Sequence, residues 1–290
     1  MPAIIEKEGS MWNRLISRRN FLKRGVFFGV VGGLSFEGFV FEPRQVEVTN
    51  TSIYINGLPN EFDGFRICQL TDIHHGPYIS IKFIEKAVEK ANSLKPDLFA
   101  LTGDYVSSSP EYIPPVINAL GKLKAPYGTF AVLGNHDHWE GADLCYEVFE
   151  KNGIPVLTNT NKVITKEGSI CIAGVGDYLE DFQDINRAFK GIPDDMPRIL
   201  LSHHPDYAEE LPKDARVDLV LSGHTHGGQV QIPFLFAPIV PSRYGQKYVN
   251  GLVRNDDTQV YVSRGVGMVA IPVRFSCPPE ITIITLRKSV

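Results

Sequence analysis

Cysteine is scarce in this chain: four residues in 290, at positions 68, 145, 171 and 277, with no Cys-x-x-Cys pair among them. That excludes a disulfide scaffold, a zinc ribbon and a thioredoxin-like redox motif. Cys68 and Cys171 each sit in an apolar, strand-like run and read as buried, inert thiols. A surplus of positive charge is missing too. The 29 basic residues face 33 acidic ones, for a formal charge of −4, and a protein that grips nucleic acid by its backbone needs net positive contacts. Low-complexity tracts and internal repeats are also absent. With 43% hydrophobic and 21% charged residues, the composition is globular, not that of a disordered chain, a collagen or a multi-pass transporter.

What charge there is lies unevenly. Residues 1–24 carry a net +4, from Lys7, Arg14, Arg18, Arg19, Lys23 and Arg24 against Glu6 and Glu8, which leaves −8 for the rest. Ser17-Arg18-Arg19-Asn20-Phe21-Leu22-Lys23 precedes an apolar run from Gly25 to Leu34, an arrangement that resembles a twin-arginine export signal. A basic amphipathic helix lying on a membrane is the weaker alternative, because the run is apolar all round. Residues 1–45 are therefore assigned to a signal or retained anchor, and 46–290 to a single body. No Ala-x-Ala cleavage site follows the run, so cleavage and retention both stay open. Gly25 to Phe41 is just long enough to span a bilayer, but Glu37 inside it would cost roughly 2.5–3.5 kcal/mol at the centre of a span and less near an interface. Twin-arginine export carries folded proteins, often loaded with metal. The resemblance thus implies the export machinery as a partner, an extracytoplasmic or membrane-associated location, and a metalloprotein.

From residue 46 onward, short β-branched runs alternate with helical patterns, which reads as an α/β domain. Ser80 is placed to cap a helix whose Ile81, Ile84, Val88, Ala91 and Leu94 recur at helical spacing before Pro96. Further helices are expected near 112–123 and 141–151.

The ends of the apolar runs carry the chemistry. Phe65–Leu70 leads into Thr71-Asp72-Ile73-His74, Asp97–Leu101 into Thr102-Gly103-Asp104, and Thr129–Leu133 into Gly134-Asn135-His136-Asp137. Arg198–Leu201 leads into Ser202-His203, and Val217–Leu221 into Ser222-Gly223-His224-Thr225-His226. Strand ends are where ligands bind in open α/β sheets, because loops can converge there on a rigid frame. Taken singly, Asp and Asn are turn residues and histidines are often satisfied polar groups. Taken together, Asp, His, Asp, Asn, His, His and His at five successive strand ends are not explained by turn preference. An oxygen and nitrogen donor set of this size exceeds one tetrahedral zinc and suits two divalent ions sharing a carboxylate, with Asp104 the natural bridge. Paired ions of that kind polarise a phosphoryl oxygen and generate hydroxide at neutral pH.

These D-x-H, G-D, G-N-H-D, H and G-H-x-H blocks, in this order over roughly residues 60–230, resemble the calcineurin-like metallophosphoesterase superfamily. With the Arg-Arg signal and Gly223–Gln229, the chain looks most similar to the exported bacterial branch of YaeI-like and YkuE-like phosphodiesterases. The resemblance implies a four-layer α/β/β/α sandwich. It implies one ion held by Asp72, His74, Asp104 and His226, and a second held by Asp104, Asn135, His203 and His224, with a metal-bridging hydroxide attacking phosphorus in line. His136 matches the family's catalytic histidine, and Asp137 is expected to orient its imidazole. Mn, Fe and Zn all accept such ligands. His75, His138 and His204 occupy positions where the pattern does not require histidine. Many relatives carry an acidic residue three positions beyond the Gly-Asp aspartate, where this chain has Ser107.

Two further features sit outside the motifs. Arg264 is a candidate phosphate clamp, although a surface arginine is the plainer reading, as a turn carboxylate is for Asp177. Ile232–Pro241 is apolar and broken by proline, and is expected to be core filler; exposed beside the site, it would instead mark a membrane or acyl-chain contact. The function expected is a two-metal phosphodiesterase or pyrophosphatase acting on an envelope or lipid-linked phosphate ester, with a UDP-2,3-diacylglucosamine-like intermediate of lipid A synthesis as one candidate and no nucleic-acid partner. The rivals are a phosphoprotein or nucleotide phosphatase on the same scaffold and a non-catalytic metal-binding envelope protein.

Overall fold

Eleven strands form two sheets in the computed structural model, which describes residues 37–233, 235–255 and 258–289. The twin-arginine-like stretch falls in residues 1–36 and lies outside the described residues. The first sheet contains β1 (Glu47–Ile55), β2 (Arg66–Leu70), β3 (Leu98–Thr102), β4 (Thr129–Val132) and β11 (Glu280–Lys288), in the order β1-β11-β2-β3-β4. The second contains β5 (Thr160–Thr165), β6 (Ser169–Gly174), β7 (Arg198–Leu201), β8 (Leu219–Ser222), β9 (Gly251–Asn255) and β10 (Thr258–Val262), in the order β5-β6-β7-β8-β10-β9. β2, β3 and β4 run parallel, as do β6, β7, β8 and β10.

Near-continuous apolar strands are what parallel sheets covered on both faces require. Alternate residues serve different layers. Ile67, Leu98, Ala100, Phe130 and Val132 meet Ile172, Ile199, Leu201, Leu219 and Leu221 between the sheets. On the other face of the first sheet, Cys68, Leu70, Phe99, Leu101 and Ala131 meet the helices. All four cysteines are buried and unpaired, and burial pushes their thiols up, away from the reactive thiolate.

Helix α1 (Ile81–Ser93) starts where the Ser80 hydroxyl accepts the Phe83 N–H and buries Ile84, Ala87, Val88 and Ala91, as its periodicity predicts. Helix α2 covers Ile113–Leu120. Helix α3 runs Asn135–Lys151, kinked at Gly141 (φ 147°), and so begins six residues before the expected start at 141. Its first turn carries Asn135, His136 and Asp137 in place of apolar periodicity, and Asp137 caps it by accepting the Gly134 N–H at 2.9 Å.

The fold is mixed α/β with two sheets, and its fourth layer is thin. The outer face of the second sheet is covered by α4 (Ile185–Ala188) and by the 3-10 turns Pro205–Glu209 and Gly245–Tyr248, which seat Ile185, Ala188, Tyr207 and Tyr248 over Cys171, Leu200, Val220 and Val260. Two polar side chains pin the sheets together. Gln69 donates from Nε2 to Thr102 Oγ1 and to the Ser222 carbonyl, both at 2.9 Å, and Glu280 accepts from Thr49, Tyr261 and Thr282.

Ile232–Pro241 is not core filler: Ile232, Leu235, Phe236 and Ile239 are exposed. Three prolines and glutamine-anchored turns hold the segment outside the sheets. Residues 37–44 lie against the loop at 273–277, with the Glu42 carboxylate accepting the Ser276 and Cys277 N–H groups. Among the described residues, no helix is long and apolar enough to cross a membrane.

Candidate metal centre

Five loops leave the carboxyl ends of β2, β3, β4, β7 and β8 and meet over the seam between the sheets. The loops after β2 and β3 are laced together, Asp72 N–H to Gly103 O and both Ile73 and His74 N–H to Asp104 O. Five of the residues singled out adopt left-handed backbone: Asp72 (φ 50°), His74 (49°), Asp104 (56°), His224 (69°) and His226 (54°). Such conformations cost of order 1 kcal/mol or more each in non-glycine residues and cluster where function fixes side-chain direction.

The motif glycines are explained by the same crowding. A Cβ on Gly223 would lie 2.0 Å from Asp72 Oδ2, and one on Gly134 would lie 2.3 Å from Asp104 Oδ1. Each glycine clears room for a carboxylate delivered by a different loop.

The seven side chains Asp72, His74, Asp104, Asn135, His203, His224 and His226 fall into two adjoining groups. In the first, His226 Nε2 lies 3.2 Å from Asp72 Oδ1, 2.9 Å from His74 Nε2, and His74 Nε2 lies 3.4 Å from Asp104 Oδ2. In the second, His203 Nε2 lies 3.2 Å from the same Asp104 Oδ2 and 3.3 Å from His224 Nδ1, which is 3.1 Å from Asn135 Oδ1. Asp104 Oδ2 is thus shared by both groups. Its Oδ1 accepts the His136 N–H at 2.9 Å.

The donor chemistry fits divalent cations. Asp72–His74–His226, His74–Asp104–His136 and Asp104–His203–His224 each bring three ligand atoms within 4.8 Å of one another. Nitrogen faces nitrogen across both groups, which is poor hydrogen bonding and good ligation. The far sides of two rings are fixed: His203 Nδ1 donates to the Thr102 carbonyl at 2.7 Å, and His74 Nδ1 lies 2.7 Å from Ser107 Oγ. Both leave Nε2 for a cation. Ser107 thus engages the His74 imidazole from the loop after β3.

Charge in the cluster follows from burial and neighbours. Burial opposes ionisation of Asp72 and Asp104, yet His226 beside the first and His203 beside the second hold both carboxyls well below their usual range. Burial drives His74 down to about 3, and it also lowers His224, to which the neighbouring His203 and His204 contribute. For His203, burial is outweighed by Asp104 and the imidazole is raised well above its usual value.

Two sequence expectations need correction. Asp137 does not orient the His136 imidazole: its oxygens accept the backbone N–H groups of Asp104, Tyr105 and Gly134 at 2.8–2.9 Å. It positions the Asp104 loop against the start of α3. Burial, with the nearby Asp104 charge, pushes its carboxyl up to about 8 against these three donors. Arg264 is no open phosphate clamp, because Nε donates to Glu280 at 2.8 Å and Nη2 to Glu47 at 3.0 Å. Those partners lie 16 and 217 residues away in sequence, so no local pattern signals them.

The His136 ring is half-buried and set by stacking, edge-on to His74 at 4.7 Å and tilted against Trp139 at 4.6 Å between centroids. Trp139 went unnoticed in the sequence, although its i+3 spacing on a helix is the available signal. His204, which the motif pattern does not require, packs its ring 4.0 Å from that of His224. His75 is anchored through Nδ1 to the Ile79 carbonyl at 2.8 Å, a structural role. Asp177 caps a turn by accepting the Leu179 and Glu180 N–H groups.

The family described as Calcineurin-like phosphoesterase matches residues 65–228, the stretch that holds all seven side chains. The metallophosphoesterase YkuE of Bacillus subtilis, described as uncharacterized, is 36% identical over 94% of this chain and 99% of its own. Phosphodiesterase YaeI of Escherichia coli is 34% identical over 94% of this chain and 100% of its own. A zebrafish transmembrane protein with metallophosphoesterase domain is 31% identical over 88% of this chain and 61% of its own.

Proposed function

Because this chain belongs to the calcineurin-like phosphoesterase family, metal-dependent hydrolases of phosphoric esters, we propose that it is a phosphodiesterase using two divalent ions and acting on an envelope or lipid-linked phosphate ester. The observation that carries the two-ion reading is Asp104 Oδ2, which lies 3.4 Å from His74 Nε2 and 3.2 Å from His203 Nε2 and so is presented to both groups at once. Asp72, His74, Asp104 and His226 would hold one ion, and Asp104, Asn135, His203 and His224 the other, with Mn, Fe and Zn all compatible with these donors. Bound there, the ions supply Lewis acidity toward a phosphoryl oxygen and a nucleophile at neutral pH.

The chain's own groups do the positioning. Asp137 and the three N–H groups it gathers fix where Asp104 points. Among the described residues, no side-chain hydrogen bond occupies the His136 imidazole, and its ring is held only by His74 and Trp139. Burial lowers its pKa and so favours the neutral ring, whose N–H can donate a hydrogen bond to developing oxyanion charge.

Preference for diesters is supported by the identity to the phosphodiesterase YaeI and is tested with a panel of bis-aryl phosphate, aryl monophosphate and a UDP-linked diacyl sugar. Faster turnover of the bis-aryl ester is expected, and preference for the monophosphate would replace the reading with a phosphoprotein or nucleotide phosphatase. Export by the twin-arginine route belongs to the same proposal. A protease-accessibility assay on intact cells checks it, and a body on the cytoplasmic side would favour a UDP-2,3-diacylglucosamine-like substrate over an outer-face ester.

A further inference from the structure

Eight of the sixteen exposed large apolar side chains among the described residues belong to segments that backbone contacts join. Phe39, Val40 and Phe41, the loop residues Ile232, Leu235, Phe236 and Ile239, and Ile271 are all exposed, Leu235 by 73% and Ile239 by 76%. Backbone contacts join their segments. The Gly38 carbonyl accepts the Arg274 N–H, Phe275 bonds Gln229 and Gln231, the Ile232 N–H reaches Phe236, and the Gln229 side chain clasps Val269. The Ile239 carbonyl and Ala237 pack on Gly228. Segments 237–239 and 269–275 meet the chain at Gly228 and Gln229, two and three residues beyond His226.

We propose that the face these joined segments form docks on a lipid bilayer and presents membrane-embedded phosphodiesters to the His224–His226 loop, an inference that rests for its substrate half on the phosphodiesterase reading. Three observations favour lipid over a second copy. Leu235 and Ile239 stand almost free of the body on a proline-broken loop, which suits immersion in a fluid phase. Phenylalanines at 39, 41 and 236 suit the apolar face of an interfacial segment. The described chain enters through this face at residue 37, directly after the apolar run 25–34 and a basic head of net +4, with Arg44 exposed beside it. Apolar insertion combined with basic attraction to anionic lipid is the two-signal logic of a surface-bound enzyme.

The full-length protein is mixed with vesicles of phosphatidylcholine and phosphatidylglycerol brominated in the acyl chains. Because residues 1–36 could retain the chain on vesicles by themselves, the readout is local: Leu235→Trp should show at least twice the bromine quenching of the wild type. In parallel, Leu235→Glu/Ile239→Glu should keep wild-type turnover of soluble bis-aryl phosphate while hydrolysis of a vesicle-embedded phosphodiester falls tenfold or more. Overturning results are quenching equal to wild type in protein that sediments with vesicles, no sedimentation at all, an equal fall on both substrates, or a dimer that the glutamates disperse. Failure of the phosphodiesterase reading would appear separately, as a wild type inactive on the soluble diester whatever the quenching shows.

Discussion

At the scale of single residues, the site separates groups that would hold cations from a group that faces substrate. His136 hydrogen-bonds the cluster through its backbone N–H, on Asp104 Oδ1, a bond that alanine keeps, and its ring only stacks edge-on to His74. His136→Ala should therefore retain bound metal by elemental analysis while kcat falls about 10²–10⁴-fold, the usual worth of a positioned acid or base. Asp104→Asn weakens the charge shared by both groups and should lower metal content and kcat together. Ser107→Ala removes the partner of His74 Nδ1 and should weaken metal binding about 10–100-fold, as loss of an outer hydrogen bond to a ligand does, measured by competition with a chelating dye. The motif residues could be read from the chain because residue type and position at a strand end carry their meaning. The partners of Asp137 and Arg264 could not, since backbone donors and distant carboxylates leave no local trace.

At the scale of elements, strand positions follow from β-branched runs and α1 from its apolar spacing, while the start of α3 is hidden because its first turn is spent on function. The loop at 264–267 is a second feature the sequence conceals. Arg274 is fully buried and donates to the carbonyls of Arg264, Gly265, Gly267 and Cys277. That loop in turn gives the Val266 N–H to Thr71 O and the Gly267 N–H to Asp72 O. Arg274→Met leaves several buried carbonyls unmet, which should cost about 3 kcal/mol or more in denaturant unfolding, at roughly 1–3 kcal/mol per orphaned group. Because the loop supports Asp72, metal at the Asp72–His74–His226 group should be lost first.

For the molecule as a whole, the site couples stability to pH. In metal-free protein the Asp104 carboxyl lies below its ordinary 3.8, so its contribution is present above that value and lost as pH falls. The His203 imidazole lies above its ordinary 6.5, so its contribution is full below that value and lost as pH rises through the folded pKa. The imidazoles of His74, His136 and His224 lie below 6.5 and favour the fold above it, so the thermal midpoint in EDTA should climb from acid pH to about 6.5 and decline only at more alkaline pH, where the His203 proton is lost. Divalent metal must displace the His203 proton, so the rise in midpoint on adding metal should grow toward alkaline pH. A metal-dependent increment that shrinks as pH rises would contradict the assignment of His203. The α/β class was readable in the apolar runs and the two sheets only through the family resemblance, whereas the thin outer layer and the exposed 232–239 loop depend on which faces stay uncovered, and composition does not encode that.

Strand β11 pairs along its length with β1 and, on its other side, with β2. A segment from late in translation therefore closes the gap between two early ones, and the first sheet cannot be completed while residues 280–288 are still inside the ribosome. The order of the chain thus leaves β1 without its partner until β11 has emerged.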